Sequence, residues 1–429
     1  MLNPTRQPLE HINDLGAYVS ASPSSFHAAR TAAERLLAGG FTELAEDQDW
    51  PAAPGRYVVV RDGAFIAWIV PEDAAPATGF NIFGAHTDSP TFKLKPSPTT
   101  GRFGWLQAGV EVYGGPLLNS WLDRELELAG RLVTLDGQEH LVSTGPLLRF
   151  PQLAIHLDRA VNEGLKLDKQ QHLNPVWGLG DPSAADLLGV LAAKAGVDRA
   201  EIGGYDVVAA DTQPARVFGA DNEFFASGRL DNLSSVHAGL CALESAAAAS
   251  KSGGSIAVLA AFDHEEVGSG SRSGAAGPFL EDVLARISAG VGAGTAETQR
   301  AFAASFCVSA DAGHAVHPNY AERHDPANKP VLNGGPLLKI NANQRYTTDA
   351  PGAAYWAALC REAEVPYQEF VSNNSIPCGS TIGPLTATRL GIRTIDVGIP
   401  LLSMHSAREM AGVQDPYLLS RAAELFFNR

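Results

Sequence analysis

Helix-like and strand-like patterns alternate along the second half of this chain of 429 residues, and this alternation limits the folds open to it. The spacing of apolar residues predicts helices at 233–250, 278–289, 350–363, 385–390 and 416–427. Short β-branched or apolar runs predict strands at 255–262, 306–309, 336–341, 367–371 and 393–397. Strands that alternate with helices indicate an α/β fold, in which a mixed, largely parallel sheet is flanked by helices.

The first part of the chain fits the same layered domain, and a segment of different texture follows it. The pattern at 11–40, interrupted by Ser22-Pro23, predicts a helix pair or a broken helix, and 57–60, 64–70 and 79–85 predict strands. Beyond 93, Pro- and Gly-rich turns separate short alternating runs, with one amphipathic helix at 184–195. We therefore expect a discontinuous domain of residues 1–93 and 229–429, with a mostly-β domain inserted at 94–228.

The composition argues against several classes of partner. The chain is 45% hydrophobic, enough for a large core, and its formal net charge of -15 without a run of Lys or Arg argues against binding to nucleic acid. No apolar stretch reaches the roughly 18 residues of a membrane span, so we expect a cytoplasmic protein without membrane contact. Its cysteines are scattered, which predicts reduced thiols rather than a disulfide framework or a zinc knuckle.

Five potential metal ligands, two imidazoles and three carboxylates, lie far apart in the sequence but in similar surroundings. Each stands in a short polar segment that follows or ends an apolar run: GAHTDSP, GRLDNLSS, FDHEEVGS, SADAGHAVHP and SMHSAREM. The five ligands are His86, Asp231, Glu266, Asp311 and His405. Such donors suit a pair of divalent cations and an activated water. Three of the segments follow predicted strands, at the end of a parallel sheet where active sites form.

Taken singly, each of these residues has a simpler explanation. His86, with Asp88 two residues later, fits a metal ligand and its orienting carboxylate, but also a structural histidine. Asp231 fits a carboxylate that bridges two ions, but also the cap of the helix that follows. Glu265 and Glu266 fit a general base beside a metal ligand, but also two solvated acids. Only the combination favours a hydrolase site with two metal ions.

The polar segments also occur in a recognisable order. GAHTDSPTFKLKP, LAIHLDR, GRLDNL, DHEEVGS, SADAGHAVHPNY, LKINANQRY and SMHSAREM span nearly the whole chain and resemble the aspartyl aminopeptidase family, which shares the two-zinc peptidase fold. The resemblance implies two Zn²⁺ ions, or other divalent metals, with one ion held by His86 and Asp311, the other by Glu266 and His405, and Asp231 shared. It also implies that Glu265 is the base and that Asp88 orients His86.

The same resemblance gives the insertion a role in assembly. It implies that 94–228 is a dimerisation domain and that the dimers assemble into a hollow tetrahedral dodecamer. In such an assembly a histidine in a segment like LAIHLDR reaches the active site of a neighbouring subunit, so His156 is a candidate for substrate binding. One departure, Ala312-Gly313 where a bulkier Met-Ala pair is commoner, bears on the shape of the pocket.

The expected activity is the removal of one N-terminal residue, acidic by resemblance, from peptides. Lys339, which lies between apolar residues, and His314 are candidates to receive the acidic side chain, although a structural ion pair would also explain Lys339. A neutral or leucine preference remains an alternative. So do a carboxypeptidase or acylase with the same metal chemistry and a non-catalytic peptide-binding scaffold, although the intact ligands and base argue against a scaffold.

Overall fold

The computed structural model describes residues 7–52, 54–249 and 254–429. Its helices are α1 (Pro8–Ser20), α2 (Ser25–Ala38), α3 (Leu187–Ala195), α4 (Leu230–Ala248), α5 (Phe279–Gly290), α6 (Thr295–Ala303), α7 (Ala350–Glu362), α8 (Ile382–Leu390) and α9 (Gln414–Phe427). Its strands are β1 (Thr42–Glu43), β2 (Gly55–Arg61), β3 (Ala64–Val70), β4 (Phe80–His86), β5 (Thr91–Arg102), β6 (Trp105–Tyr113), β7 (Leu126–Thr134), β8 (Glu139–Ser143), β9 (Val176–Leu179), β10 (Ile202–Asp211), β11 (Arg216–Phe218), β12 (Phe224–Ser227), β13 (Ile256–Phe262), β14 (Phe306–Ala310), β15 (Gly313–His314), β16 (Leu337–Lys339), β17 (Gln368–Phe370), β18 (Arg393–Gly398), β19 (Pro400–Leu402) and β20 (Glu409–Gly412).

A nine-stranded mixed sheet forms the centre, in the order β1-β2-β3-β13-β4-β14-β18-β16-β17. The strands β13, β4, β14 and β18 run parallel to one another, whereas β3 pairs antiparallel with β13 and β16 pairs antiparallel with β18. The prediction of an α/β fold with a mixed sheet and flanking helices is therefore confirmed. The parallel centre brings the carboxyl ends of four strands to the same edge.

Both faces of this sheet are covered, because alternate side chains of a strand point to opposite sides. On β4, Phe83 belongs to an apolar cluster that includes residues of α1, α2, α4 and α9, whereas Ile82 belongs to a separate cluster that includes residues of α5. The apolar runs of β4 and β13 are buried along their whole length, as expected for central parallel strands. The core thus holds these strand ends in fixed positions.

A second, antiparallel sheet contains six strands in the order β8-β7-β10-β5-β6-β9 and has its own apolar core, which includes Phe92, Leu128 and Leu191. A third sheet, β11-β12-β20-β19-β15, joins residues 216–227 to the last part of the chain. The division into 1–93 with 229–429 and an inserted 94–228 stays a prediction. Within the predicted insertion, β11 pairs with β12 and β12 pairs with β20, so neither strand joins the six-stranded sheet.

Some elements have no signal in the apolar pattern. Helix α6 was not predicted, because only Ala301 and Phe302 of its residues are buried and no apolar stripe results. The strands β15, β19 and β20 are two to four residues long, too short for an alternating pattern to show. Among the helices described, none is both long and apolar enough to cross a membrane.

Candidate metal centre

The parallel centre of the sheet brings three of the five predicted ligands together. In the pairing of β13 with β4, Phe262 lies opposite His86, so His86 and the Glu265-Glu266 turn both lie at the carboxyl edge. Asp311 directly follows β14, the other neighbour of β4. Asp231 comes from the distorted first turn of α4, and His405 comes from the loop between β19 and β20. Five distant segments thus meet at one edge of the sheet.

The five side chains form two groups that share Asp231. The Nε2 atom of His86 lies 3.3 Å from Oδ1 of Asp231 and 3.4 Å from Oδ1 of Asp311. The Nε2 atom of His405 lies 3.6 Å from Oδ2 of Asp231 and 3.4 Å from Oε2 of Glu266. Each oxygen of Asp231 therefore faces a different imidazole. This geometry favours the bridging role of Asp231 over the helix cap, since Arg229 is the residue that precedes the helix.

The two groups fit divalent ions. Zinc bonds to nitrogen and oxygen of about 2.0–2.2 Å in a tetrahedral arrangement place ligand atoms roughly 3.4 Å apart, close to the separations seen here. Oδ1 of Asp231 and Oε1 of Glu266 are buried and have no hydrogen-bond partner among the described residues. A buried carboxylate oxygen without a partner is costly, and a bound cation would supply the missing interaction.

Both imidazoles are oriented by backbone carbonyls. Nδ1 of His86 donates to the carbonyl of Asp88 at 3.1 Å, and Nδ1 of His405 donates to the carbonyl of Gly115 at 3.0 Å. A proton fixed on Nδ1 leaves the lone pair of Nε2 available to a metal ion. Gly115 follows β6, so the six-stranded sheet takes part in placing the predicted ligand His405.

The Asp88 carboxylate does more than the sequence analysis assigned to it. Its Oδ1 lies 3.4 Å from Nδ1 of His86, but the same oxygen accepts the backbone N–H of Glu265 at 3.0 Å. Its Oδ2 accepts the N–H of Glu266 at 3.1 Å and the hydroxyl of Tyr113 at 2.8 Å. Asp88 therefore fixes the turn that carries the predicted base, and its main-chain carbonyl accepts the His86 hydrogen bond.

Comparison with known proteins shows the family of this chain. Residues 18–427 match the family model described as "Aminopeptidase I zinc metalloprotease (M18)". The chain belongs to the M18 family. A Streptomyces coelicolor protein named "Probable M18 family aminopeptidase 2" is 54% identical to this M18 chain over 429 residues, covering 99% of each. The M18 membership confirms the predicted enzyme class, a zinc metallo-aminopeptidase.

Solved structures show the same fold over the whole M18 chain. A chain of the Ape4 and Nbr1 complex is 37% identical with a TM-score of 0.94, and the match covers 100% of this chain and 88% of that one. The S. cerevisiae mApe1 dodecamer is 29% identical with a TM-score of 0.86, and the match covers 97% and 96% of the two chains.

Glu265 is the more accessible of the paired acids in this M18 chain. Its side chain is 16% exposed, against 5% for Glu266, and its Oε2 lies 4.0 Å from Nε2 of His86. Burial raises the pKa of Glu265 to about 8, and the carboxylates of Asp311 and Asp231 oppose its ionisation further, although His86 lowers the pKa. A carboxyl group with a pKa near neutrality is suited to accept and return a proton.

Glu409 is a buried acid that the sequence analysis missed. It is 2% exposed, and its two oxygens accept the backbone N–H of Asp231 at 2.9 Å and that of His405 at 2.7 Å. Burial, with the nearby Asp231 carboxylate, raises the pKa of Glu409 to about 8. One side chain thus joins Asp231, the predicted shared ligand, to His405, a predicted terminal ligand. The available signal was a charged residue in the short apolar segment that forms β20.

The three predicted substrate-binding residues lie in different settings in this M18 chain. His314 is exposed, with its ring 6.3 Å from that of Phe370. Lys339 is 1% exposed, and its ammonium donates to the carbonyl of Ala312 at 2.7 Å and lies 3.4 Å from Asp311. Lys339 is therefore paired with the predicted ligand Asp311, which fits a structural ion pair and also places a positive charge beside the candidate site. His156 is exposed in the segment after Phe150, and no contact within the described chain joins it to the metal ligands.

Proposed function

We propose that this M18 chain holds two Zn²⁺ ions, or other divalent metals, and releases single N-terminal residues from peptides. His86 and Asp311 would hold one ion, Glu266 and His405 the other, and Asp231 both. The observation that carries the proposal is the placement of the two Asp231 oxygens, each within 3.6 Å of a different imidazole. A single ion would need no such division, because one carboxylate oxygen suffices as its ligand.

The proposed chemistry depends on the position of Glu265. When bound, a pair of divalent ions polarises the scissile carbonyl and lowers the pKa of the attacking water. Glu265 accepts the proton of that water and returns it to the departing amine. Asp88 supports this role, because its carboxylate holds the backbone N–H groups of Glu265 and Glu266 in place.

We propose a preference for acidic N-terminal residues, which the family resemblance first suggested. The net charge of -15 would repel an acidic substrate at long range, so the preference needs a positive charge close to the site. Lys339 supplies one, because its buried ammonium lies 3.4 Å from Asp311. Once a divalent ion neutralises Asp311, this cation would favour a substrate carboxylate. The exposed His314 is the second candidate donor.

The assembly is proposed on separate grounds. We propose a homo-oligomer in the cytoplasm, in which dimers assemble into a tetrahedral dodecamer and His156 enters the site of a neighbouring subunit. Leu153, Ile155 and Leu157, beside His156, are 60%, 50% and 74% exposed. Apolar side chains exposed together favour a surface that is covered by a partner. The mApe1 relative is a dodecamer, which supports an assembly of twelve subunits.

Rates on N-terminal Asp, Glu and Leu amides, before and after chelation, would test the proposal. We expect chelator-sensitive hydrolysis, fastest with Asp or Glu, and none after acetylation of the amino terminus. Cleavage of the acetylated substrates would favour the carboxypeptidase or acylase alternative, and binding without hydrolysis would favour the scaffold.

Lys339→Met should lower the Asp/Leu rate ratio, whereas Lys339→Arg, which keeps the charge, should preserve this ratio. An unchanged ratio in Lys339→Met with full metal content would remove Lys339 from the pocket.

A further inference from the structure

A second group of potential metal ligands lies between α1 and α4, apart from the catalytic edge of the sheet. His11 and Asp14 are three residues apart on α1, and His237 and Cys241 are four residues apart on α4. Residues with these spacings lie on the same face of a helix. The two pairs face each other, since His237 contacts Asp14 and the ring of His11. Two helices thus place two imidazoles, a carboxylate and a thiol together.

The donor atoms are close enough to share one ion. Nε2 of His237 lies 2.9 Å from Oδ2 of Asp14 and 3.5 Å from Sγ of Cys241, and that sulfur lies 3.9 Å from Oδ2 of Asp14. The donors of His11, His237 and Cys241 lie within 4.8 Å of one another. A tetrahedral zinc ion, with bonds of about 2.3 Å to sulfur and 2.0–2.1 Å to nitrogen, needs separations of roughly 3.3–3.6 Å.

We propose that His11, Asp14, His237 and Cys241 form a structural Zn²⁺ site. Two imidazoles, a thiolate and a carboxylate are a ligand set typical of zinc, and four protein ligands make a closed site without an open position for substrate. The thiolate and the carboxylate balance the charge of the ion. The sequence analysis did not predict this site, because the cysteines lack C-x-x-C spacing and the two ligand pairs are separated by more than half of the chain.

The surroundings suit a bound ion. His11 and His237 are fully buried and Cys241 is 6% exposed, so the ligands lie in a low-dielectric environment. Arg35 places Nη2 3.5 Å from the Cys241 sulfur, so a guanidinium lies beside the atom that would bind the ion. The charge of Arg35 is itself offset by Glu244, 2.6 Å away. The Asp14 side chain is 32% exposed and provides a path for the ion to enter.

Such an ion would clamp α1 to the helix that carries the shared catalytic ligand. Asp231 lies at the beginning of α4, less than two turns before His237. The competing explanation is a buried hydrogen-bonded network without an ion, held by His237, Asp14 and Arg35. The two explanations differ in one observable, a metal–sulfur bond, because none of the five ligands proposed for the catalytic centre is a cysteine.

Cobalt substitution of the full chain is therefore the test. Saturation with Co²⁺ should produce the near-ultraviolet charge-transfer absorption of a cobalt–thiolate bond. Cys241→Ser should abolish this band and lower the zinc content by one ion per chain, while hydrolysis of peptides continues. Cys360→Ser, which alters another buried cysteine on α7, should change neither the band nor the zinc content.

Two outcomes would overturn the proposal. One is folded wild-type protein that is saturated with Co²⁺ and lacks the thiolate band. The other is a band that persists unchanged in Cys241→Ser. If Cys241→Ser does not fold, His11→Gln gives the second variant, and a wild-type melting temperature that rises on addition of Zn²⁺ beyond the rise seen in His11→Gln supports the site. Equal rises in the two proteins count against it.

Discussion

The substitution Glu409→Gln isolates the contribution of a residue that touches neither substrate nor metal. Glu409 accepts two backbone N–H groups, one from Asp231 and one from His405. Glutamine is nearly the same size but offers one acceptor oxygen, and its amide N–H₂ faces the second N–H group. The variant therefore leaves one of the two buried N–H groups without an acceptor while the packing of β20 is kept.

The magnitude follows from that loss. A buried N–H group left without an acceptor costs about 1–3 kcal/mol, and about 1.4 kcal/mol corresponds to a factor of ten in binding. If this free energy is lost because Asp231 and His405 are held less firmly in position, metal affinity falls by about 10–100-fold. The range agrees with the usual effect of removing an outer partner of a metal ligand. The binding of both ions should be weakened, because Asp231 is shared by the two groups of predicted ligands.

Competition between the protein and a zinc chelator would measure this affinity, and kcat at saturating zinc would measure the remaining activity. Glu424→Gln is the matched control, because Glu424 is 7% exposed and accepts a hydrogen bond from Ser245 away from the site. The control should alter thermal stability but leave zinc affinity unchanged. Folded Glu409→Gln protein that binds zinc as tightly as the wild type would refute the positioning role of Glu409.

Three further outcomes are expected. Burial opposes protonation of His405, but the hydrogen bond and the charge of Asp231 outweigh burial and raise the pKa of His405 to about 9. Because His405 must lose its proton before it binds an ion, calorimetry between about pH 6 and 9 should show proton release and a zinc affinity that rises with pH. A zinc affinity that does not change with pH would contradict this. Gly313→Ala places a Cβ atom 2.5 Å from Cδ1 of Leu337, and chemical denaturation should show a loss of about 1–3 kcal/mol, whereas unchanged stability would show that the contact relaxes. Glu265→Gln should keep its metal and lose about 10²–10⁴-fold in kcat, and normal turnover would exclude Glu265 as the base.

The sequence predicted the elements that depend on local pattern. The apolar runs of β4 and β13 end at polar segments, and parallel pairing necessarily brings such ends to one edge, which is why His86 and the Glu265-Glu266 pair were found. The position of Asp311, a predicted ligand, follows by the same argument from β14. Helix α6 was not predicted, because too few of its residues are buried to create an apolar stripe.

The site residues that the sequence did not predict act through contacts between distant segments. Glu409 is joined to Asp231 across 178 positions of sequence, and the Gly115 carbonyl is joined to His405 across 290. Tyr113 contacts Asp88 only because the six-stranded sheet approaches the edge of the central one. Local spacing carries no information about such contacts. The sequence left Lys339 open between pocket and ion pair, since the two settings require the same apolar neighbours.

The central claim is that Asp231 is shared by two ions, and anomalous diffraction from zinc-loaded crystals tests it most directly. We predict two peaks at the carboxyl edge of the sheet, about 3.5–4 Å apart, with the Asp231 carboxylate between them. One peak should contact His86 and Asp311, and the other Glu266 and His405. A single fully occupied peak at this edge, or two peaks of which only one contacts Asp231, would contradict the account.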